Sequence, residues 1–327
     1  MNQVEKLPTP VIKQKKTAGQ IFSDLSMPIL LIILLIVFSC LSPQFFTSLN
    51  LTNILVQNVH IAVCTSAVLI IMVSGGCDLS IGYQMSVAAV LVAKAISVTK
   101  MNPVLAIILG ILLCMVLGTF NGVMSIVLKS HTMIITLGTM AIFQGIAYLI
   151  SQSKTIHGLP LAYMYIGQGR LFGWLPLNVV IAAVVLVIVG TVMSKTSIGR
   201  KVYAAGDNPE AARLAGLNVT KIKILAFTFG GLLVGIAAVL LSARTGYADA
   251  SCASGIEFTG ITACVLAGVA LKGGEGSLWK SIIAVYVLGV LSNGMQLIGL
   301  GTYPQYIAKG AIMLLSLYLS NRTAKRA

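Results

Sequence analysis

The sequence contains few charged residues and very few acids. Only 9% of its 327 residues are Asp, Glu, Lys or Arg, and only 8 are acidic, whereas a soluble domain carries about 25% charged residues. With 57% hydrophobic residues and a mean hydropathy of +0.96, the chain is too apolar to stay in solution as a monomer. A bilayer tolerates such a surface, so the composition excludes an ordinary soluble domain and predicts a membrane protein.

The patterns of common catalytic and metal sites are also missing. No H-E-x-x-H, G-x-S-x-G or paired-carboxylate arrangement occurs, so a membrane enzyme has little support. The six cysteines form no C-x-x-C pair; we therefore predict no zinc site or disulfide framework and expect no cofactor. The stretch KGGEGSLWKS at 272–281 is not a complete P-loop, because Trp279 stands where phosphate binding requires glycine. We therefore predict no ATP-binding site in this stretch.

The net charge of +14 is explained by membrane topology. Basic proteins often bind nucleic acid, but here Lys and Arg lie in short loops between apolar segments, where they set the orientation in the membrane. With the N-terminus in the cytoplasm, most of the 22 Lys and Arg residues fall on the cytoplasmic side. The charges therefore predict a multi-pass protein with both termini cytoplasmic, in contact with membrane lipid and not with nucleic acid.

Apolar segments close to the ~20 residues needed to cross a bilayer recur along the chain. They predict an all-α polytopic membrane protein of about ten transmembrane helices. A single transmembrane domain at 27–320 is flanked by cytoplasmic tails at 1–26 and 321–327. The predicted spans are 27–42, 50–73, 82–99, 102–128, 132–151, 176–194, 221–243, 256–271, 278–298 and 304–320.

One polar loop, residues 195–220, interrupts this pattern on the predicted cytoplasmic side. Its centre reads GDNPEAARLAGL and carries the signals of a short helix, with Asp207 or Asn208 as N-cap, Pro209 in the first turn and Gly216 at the end. So short a helix is marginal alone, so something must pack on it. The residues leave two alternatives open: packing on this protein's own helix ends, or docking on a cytoplasmic partner.

The loop and its flanks, GRKVYAAGDNPEAARLAGLNVTKIKILAF at 199–227, closely resemble the cytoplasmic loop of sugar-type ABC importer permeases, the ribose, xylose and galactoside group. The resemblance covers nearly the whole chain after the first span. This sequence departs from the family pattern at Cys77, where an aliphatic residue is common, and at 267–274, where a more glycine-rich pattern is common. Three further stretches resemble the family in the same order: SGGCDLSIG (74–82), SHTMIITLGTMAIFQGIA (130–147) and GIEFTGITACVLAGVALKGGEGSLWKS (255–281).

The resemblance implies a vitamin-B12-importer-like permease fold, with a second permease copy completing one central path. It implies a subunit of a bacterial ABC importer in the cytoplasmic (inner) membrane that translocates a monosaccharide or related polyol by alternating access. ABC ATPase subunits would supply the energy, and a periplasmic or surface-tethered substrate-binding protein would deliver the substrate. The family's coupling helix, which contacts the ATPase, corresponds here to Asn208, Pro209, Glu210, Ala211, Ala212, Arg213, Leu214, Gly216 and Leu217.

Asp78, within SGGCDLSIG, is the only acid between Asp24 and Asp207. An ionisable group in or near hydrocarbon is by default a functional hypothesis. Asp78 could instead cap the next helix through residues 80–81. We favour this structural role over a proton or ion site. The residues assigned to the structural motif are Gly75, Gly76, Asp78 and Ser80.

Asn53, Gln57 and His60 stand at i, i+4 and i+7 on one face of the second span. Polar groups are unfavourable against lipid, so this face should point into the bundle or a water-filled path. Hydrogen bonding between helices and a wall for a neutral, hydroxyl-rich solute both fit, and three groups on one face favour the path. Weaker candidates of the same kind are Asn121, Gln144, Asn293 and Gln296.

Two other classes of transporter stay open. An ion-coupled secondary carrier usually has ionisable groups within its spans, and here only Asp78, Lys309 and His60 compete for that role. A branched-chain amino-acid-type ABC permease would share the mechanism but not the substrate. Transport that persists without an ATPase partner would exclude both kinds of importer.

Overall fold

The structure of the protein is a computed structural model that describes residues 18–324, with side-chain surroundings for 25–316 and 318. Parts of both predicted tails, 1–17 and 325–327, lie outside the described residues. Helices dominate the described range. They are α1 (Ala18–Leu41), α2 (Ser48–Val73), α3 (Ile81–Ser97), α4 (Pro103–Val127), α5 (Thr132–Ser151), α6 (Leu161–Gln168), α7 (Leu177–Lys195), α8 (Ser197–Asp207), α9 (Pro209–Leu214), α10 (Val219–Thr245), α11 (Ile256–Leu266), α12 (Leu278–Leu297) and α13 (Thr302–Ala324).

Among the described helices, six are long and apolar enough to cross a membrane: α2, α4, α5, α7, α10 and α12. They support a polytopic helical membrane protein, and the count of about ten spans stays a prediction. A short antiparallel hairpin, β1 (Arg170–Leu171) with β2 (Leu175–Pro176), precedes α7. The prediction missed α6 and α8, and α1 already begins at Ala18, inside the predicted polar tail.

The span predicted over 256–271 is wrong. The helix in this region, α11, has 11 residues and is about 17 Å long at a rise of 1.5 Å per residue. This is roughly half of the ~30 Å hydrocarbon core. The helix stops because the chain turns at Gly268, with φ +81°. Apolar residues continue to Leu271, so hydropathy alone extends the predicted span too far.

The core of the bundle is built around α2 and α10, most of which is buried. The outer helices α4, α5 and α7 bury much less of their surface, as expected of helices that face lipid or another subunit. α10 makes its most extensive contact with α4. Gly231 of α10 lies directly against the backbone of α4, because a Cβ at this position would clash with the carbonyl oxygen of Cys114. Small residues allow such close helix packing in membranes.

This contact predicts that Gly231→Ala destabilises the protein. The added methyl group meets backbone that cannot move alone, and overpacking of this kind costs about 1–3 kcal/mol. Gly138→Ala in α5 is the matched control, because a Cβ there meets nothing within 4 Å and alanine favours a helix by up to about 1 kcal/mol. Thermal unfolding in detergent should therefore place Gly231→Ala below the parent protein and Gly138→Ala at or above it. Equal melting temperatures for both variants would contradict the packing.

Candidate coupling site and polar clusters

The helix α9 is capped at both ends by the residues that its sequence indicates. Asn208 is the N-cap, because its Oδ1 accepts hydrogen bonds from the backbone N–H groups of Glu210 (3.1 Å) and Ala211 (3.0 Å). Pro209 follows in the first turn. At the other end Gly216 adopts a left-handed conformation with φ +81°. The two ends thus fix a short helix on the surface of the bundle.

The protein itself covers only one side of α9. Ala212 is buried and packs with Ala205 of α8 and Val219 of α10. Leu214 lies on another side and is 91% exposed. Arg213 beside it is also exposed. The helix is therefore held on its own bundle through one small residue, and its largest apolar side chain is left without a partner among the described residues.

The C-terminal end of α8, just before α9, lies in a contact of three backbone segments, which we call the glycine junction. The N–H of Gly274 donates a hydrogen bond to the carbonyl oxygen of Val73 at 2.9 Å. A Cβ on Gly206 would clash with that same carbonyl, and a Cβ on Gly274 would clash with Asp207. Glycine is required because these backbones touch without intervening side chains. The junction consists of residues 73–75, 206–207 and 272–274.

The glycine junction unites two stretches that look alike in the sequence but form no regular repeat. Gly75 and Gly76 follow α2, and Gly273 and Gly274 lie between α11 and α12. A further hydrogen bond ties α8 to the second stretch, since the hydroxyl of Tyr203 donates to the carbonyl oxygen of Gly276 at 2.9 Å. Burial raises the pKa of the Tyr203 hydroxyl, so this group stays a neutral donor.

Beyond the junction, the segment between α2 and α3 runs alongside α5 into the bundle. The N–H of Cys77 donates to Thr132 Oγ1 at 2.8 Å, and the N–H of Leu79 donates to Thr136 Oγ1 at 3.1 Å. The two threonines are one helical turn apart. Their hydroxyl groups replace the hydrogen bonds that a continuous helix would make. The segment that they hold in this way places Asp78 in the interior.

Asp78 is 3% exposed and its carboxylate is fully hydrogen-bonded. Oδ1 accepts from the N–H (2.8 Å) and hydroxyl (2.6 Å) of Ser80. Oδ2 accepts from the amides of Gln84 (2.9 Å) and Asn121 (3.2 Å). Asp78 therefore bonds to Ser80, the N-cap of α3, and to the side chain of Gln84. It does not bond to the N–H of residue 81, which the predicted cap included. The cluster ties α3 and α4 to the segment between α2 and α3.

A second buried acid, Glu257, was not among the predicted site residues. It is 1% exposed, and its Oε1 accepts a hydrogen bond from the N–H of Gly255 at 3.2 Å. Its Oε2 has no partner among the described residues and lies against Gly82, where any Cβ would clash with it. The sequence did carry a signal, namely a single acid at the start of an apolar run.

The predicted polar stripe of α2 leads from the surface into the protein. Asn53 and Gln57 are exposed, whereas His60 is 5% exposed. The Nδ1 atom of His60 has no hydrogen-bond partner among the described residues. The exposed pair lies in the half of α2 remote from the glycine junction, because the junction begins at Val73.

The weaker path candidates do not join this stripe. Asn121 is buried in the Asp78 cluster. Asn293 exchanges two hydrogen bonds of 2.9 Å with Asn50, which ties α12 to α2. Gln144 is half-buried on α5, and Gln296 is exposed. Their roles in a path stay predictions.

Comparison with known proteins identifies relatives over most of the chain. Residues 50–317 match the family described as "Branched-chain amino acid transport system / permease component". The chain is 34% identical to the ribose import permease protein RbsC of Bacillus subtilis over 89% of this chain and 91% of the relative. It is 31% identical to RbsC of Escherichia coli K12 (90% and 92%) and to the L-arabinose transport system permease protein AraH of the same strain (92% and 92%). No solved structure matches the chain.

The geometry around Asp78 predicts that Asp78→Asn is tolerated and that Asp78→Ala is not. In the native cluster, Gln84 Oε1 and Asn121 Oδ1 have no partner among the described residues. Rotation of these amides turns their oxygens toward the NH2 group that Asp78→Asn introduces, whereas alanine leaves buried donors unpaired at about 1–3 kcal/mol each. Thermal unfolding and the yield of folded protein in detergent measure the difference.

The same pair of variants separates a structural lock from a proton or ion site. If Asp78 has only a structural role, Asp78→Asn retains both folding and uptake, because the hydrogen bonds form without the charge. Asp78→Asn that folds normally but abolishes uptake would show that the charge itself works in transport. Equal destabilisation by both variants would contradict the proposed amide rotation.

Proposed function

The chain belongs to the permease-component family described above, and from this premise we propose that it is the transmembrane permease subunit of a bacterial ABC importer. We propose a monosaccharide or related polyol as its substrate. The relatives named for ribose and L-arabinose support a sugar. The description of the family names branched-chain amino acids, so these form the second candidate substrate class.

The proposed setting is the bacterial cytoplasmic membrane with both termini in the cytoplasm. The positive charges of the 195–220 loop support a cytoplasmic position of α8 and α9. A second permease copy completes the path in a vitamin-B12-importer-like arrangement. A periplasmic or surface-tethered binding protein delivers the substrate on the opposite side. Energy comes from ABC ATPase subunits bound on the cytoplasmic side.

The observation that carries this proposal is the placement of α9. Its exposed Leu214 offers an apolar contact to a partner, and its buried Ala212 packs on α8 and α10, next to the end of α8 that lies in the glycine junction. Residues 208–217 then act as the coupling helix. A displacement of α9 by the ATPase moves α8. The glycine junction transmits this movement to the end of α2 and to the loop after α11, because backbone contacts backbone there and no side chain lies between them.

The exposed amides of α2 provide the proposed contact with substrate. Asn53 and Gln57 stand on one face of a helix that also meets the glycine junction at its other end. Amides donate and accept hydrogen bonds, which suits the hydroxyl groups of a neutral sugar. Movement of α2 would alter the side of the membrane to which this face opens. This is alternating access achieved by one continuous helix.

We expect Leu214→Asp to abolish binding of the ATPase while the protein still folds. The change places a charge where the partner would bury an apolar side chain, and unpaired buried charge is strongly unfavourable. Leu161→Asp is the matched control, because Leu161 is 82% exposed on α6, which packs at the opposite end of α10. Co-purification of the co-expressed ATPase and ATP-dependent uptake by membrane vesicles measure the effect.

Two outcomes would contradict the coupling proposal. ATPase binding that is unchanged in Leu214→Asp would place the docking surface elsewhere. Uptake that persists without any ATPase and collapses when a protonophore is added would assign the protein to the ion-coupled carriers.

The double variant Asn53→Leu/Gln57→Leu is expected to lower sugar uptake by about 30-fold, because two hydrogen bonds of roughly 1 kcal/mol each are lost. ATPase co-purification should not change, since both residues are remote from α9. Thr52→Val is the control on the same helix, because the hydroxyl of Thr52 bonds its own backbone at Ser48. Vesicle uptake of labelled ribose, arabinose and leucine measures the effect and also decides the substrate class. Unaltered uptake in the double variant would exclude these amides from the path.

A further inference from the structure

An apolar groove of about 550 Å³ opens on the outside of the bundle between α7, α8 and α10. Its walls consist mainly of aliphatic side chains, with Phe229 as an aromatic member. Val185 lies on the α7 wall, and Leu225 and Ile236 lie on the α10 wall. None of the residues that line the groove in the described structure is acidic. The groove is therefore suited to a hydrocarbon chain.

The charges of the groove lie at one end only. Lys201 of α8 and Lys221 in the first turn of α10 both line it and are both exposed. Asn218, the N-cap of α10, lies beside them. This end is the one that carries α9, so the lysines stand at the proposed cytoplasmic surface and the apolar walls extend into the membrane. A molecule that fills the groove must be amphiphilic, with an anionic group at the lysine end.

The length of the groove matches one leaflet of a bilayer. From Lys221 to Ile236 the α10 wall rises about 22 Å at 1.5 Å per residue. Half of the hydrocarbon core is about 15 Å thick, and the remaining length reaches the headgroup level. The groove thus spans the distance between a lipid headgroup and the end of its acyl chain.

We propose that this groove binds an anionic phospholipid, with an acyl chain between α7 and α10 and the phosphate on Lys201 and Lys221. The positive charge of Lys201 and Lys221 favours an anionic lipid over the other possible occupants. A zwitterionic lipid carries its own cation and compensates the lysines poorly, and a second copy of the chain brings few acids to meet them, since it has only 8. The cytoplasmic leaflet supplies anionic lipid to basic pockets between helices. The bound lipid joins α8, which leads directly into α9, to the body of the bundle.

Native mass spectrometry of the purified full-length protein tests the proposal with phosphatidylglycerol and phosphatidylcholine of identical acyl chains. Wild-type protein should retain phosphatidylglycerol in preference. Lys201→Ser/Lys221→Ser should weaken that binding by about 30-fold and leave phosphatidylcholine unaffected. The control Lys129→Ser/Lys154→Ser removes the same charge from exposed residues that do not line the groove, and it should bind like wild type. Lys201→Arg/Lys221→Arg keeps the charges and should retain binding.

Leu225→Trp tests the apolar part, because it fills the groove without removing a lysine. It should reduce phosphatidylglycerol binding to the level of the double serine variant. Equal retention of both lipids by wild type, or unchanged phosphatidylglycerol binding in the double serine variant, would overturn the proposal. Displacement of the lipid by excess inorganic phosphate would assign the lysines to a free anion. A disulfide between two copies of Leu225→Cys, absent from the parent chain, would show that a second copy covers the groove.

Discussion

The contact between the N–H of Gly274 and the carbonyl oxygen of Val73 holds together the parts of this protein that the proposed mechanism must move. It joins the end of a long buried helix to the loop that follows a short one, and Gly206 of α8 closes over it. Because backbone meets backbone, no rotamer change can absorb a displacement. The polar loop that resembles a coupling element is therefore joined to the bundle by direct backbone contact at the end of α8.

The two buried acids show how differently a carboxylate can be accommodated. Asp78 receives four hydrogen bonds, two of them from amides that carry no charge of their own. This saturation supports the predicted structural role of Asp78, because its hydrogen bonds tie it to α3 and α4. Glu257 is as deeply buried but accepts one hydrogen bond and leaves Oε2 without a described partner. The sequence drew attention to Asp78, whereas the incompletely satisfied acid is Glu257.

The sequence predicted well what depends on neighbouring residues in the chain. Caps act over three or four positions, so Asn208 and Gly216 identified α9, and apolar composition located the long helices. Features that depend on tertiary contact were missed. The burial of Glu257, for example, depends on a glycine of another helix. The end of α11 was missed for a different reason, because the local signal at Gly268 lies inside an apolar run. Asn121 was assigned by type to the polar path, but its surroundings place it beside Asp78.

Interrupted helices in a membrane carry a physical requirement that limits where they can occur. Each break exposes backbone groups that lipid cannot satisfy, so the protein must supply partners. Here Thr132 and Thr136 pair with the segment after α2, and Val73 pairs with the loop after α11. Both breaks therefore lie where other elements already converge, next to α8. If α8 moves, these hydrogen bonds between different elements are the first to be strained. A continuous helix makes its backbone hydrogen bonds within itself and does not depend on its neighbours in this way. Under the proposed coupling, the breaks are where α2, α3 and α11 would respond to a movement of α9, whereas α4 has no such break.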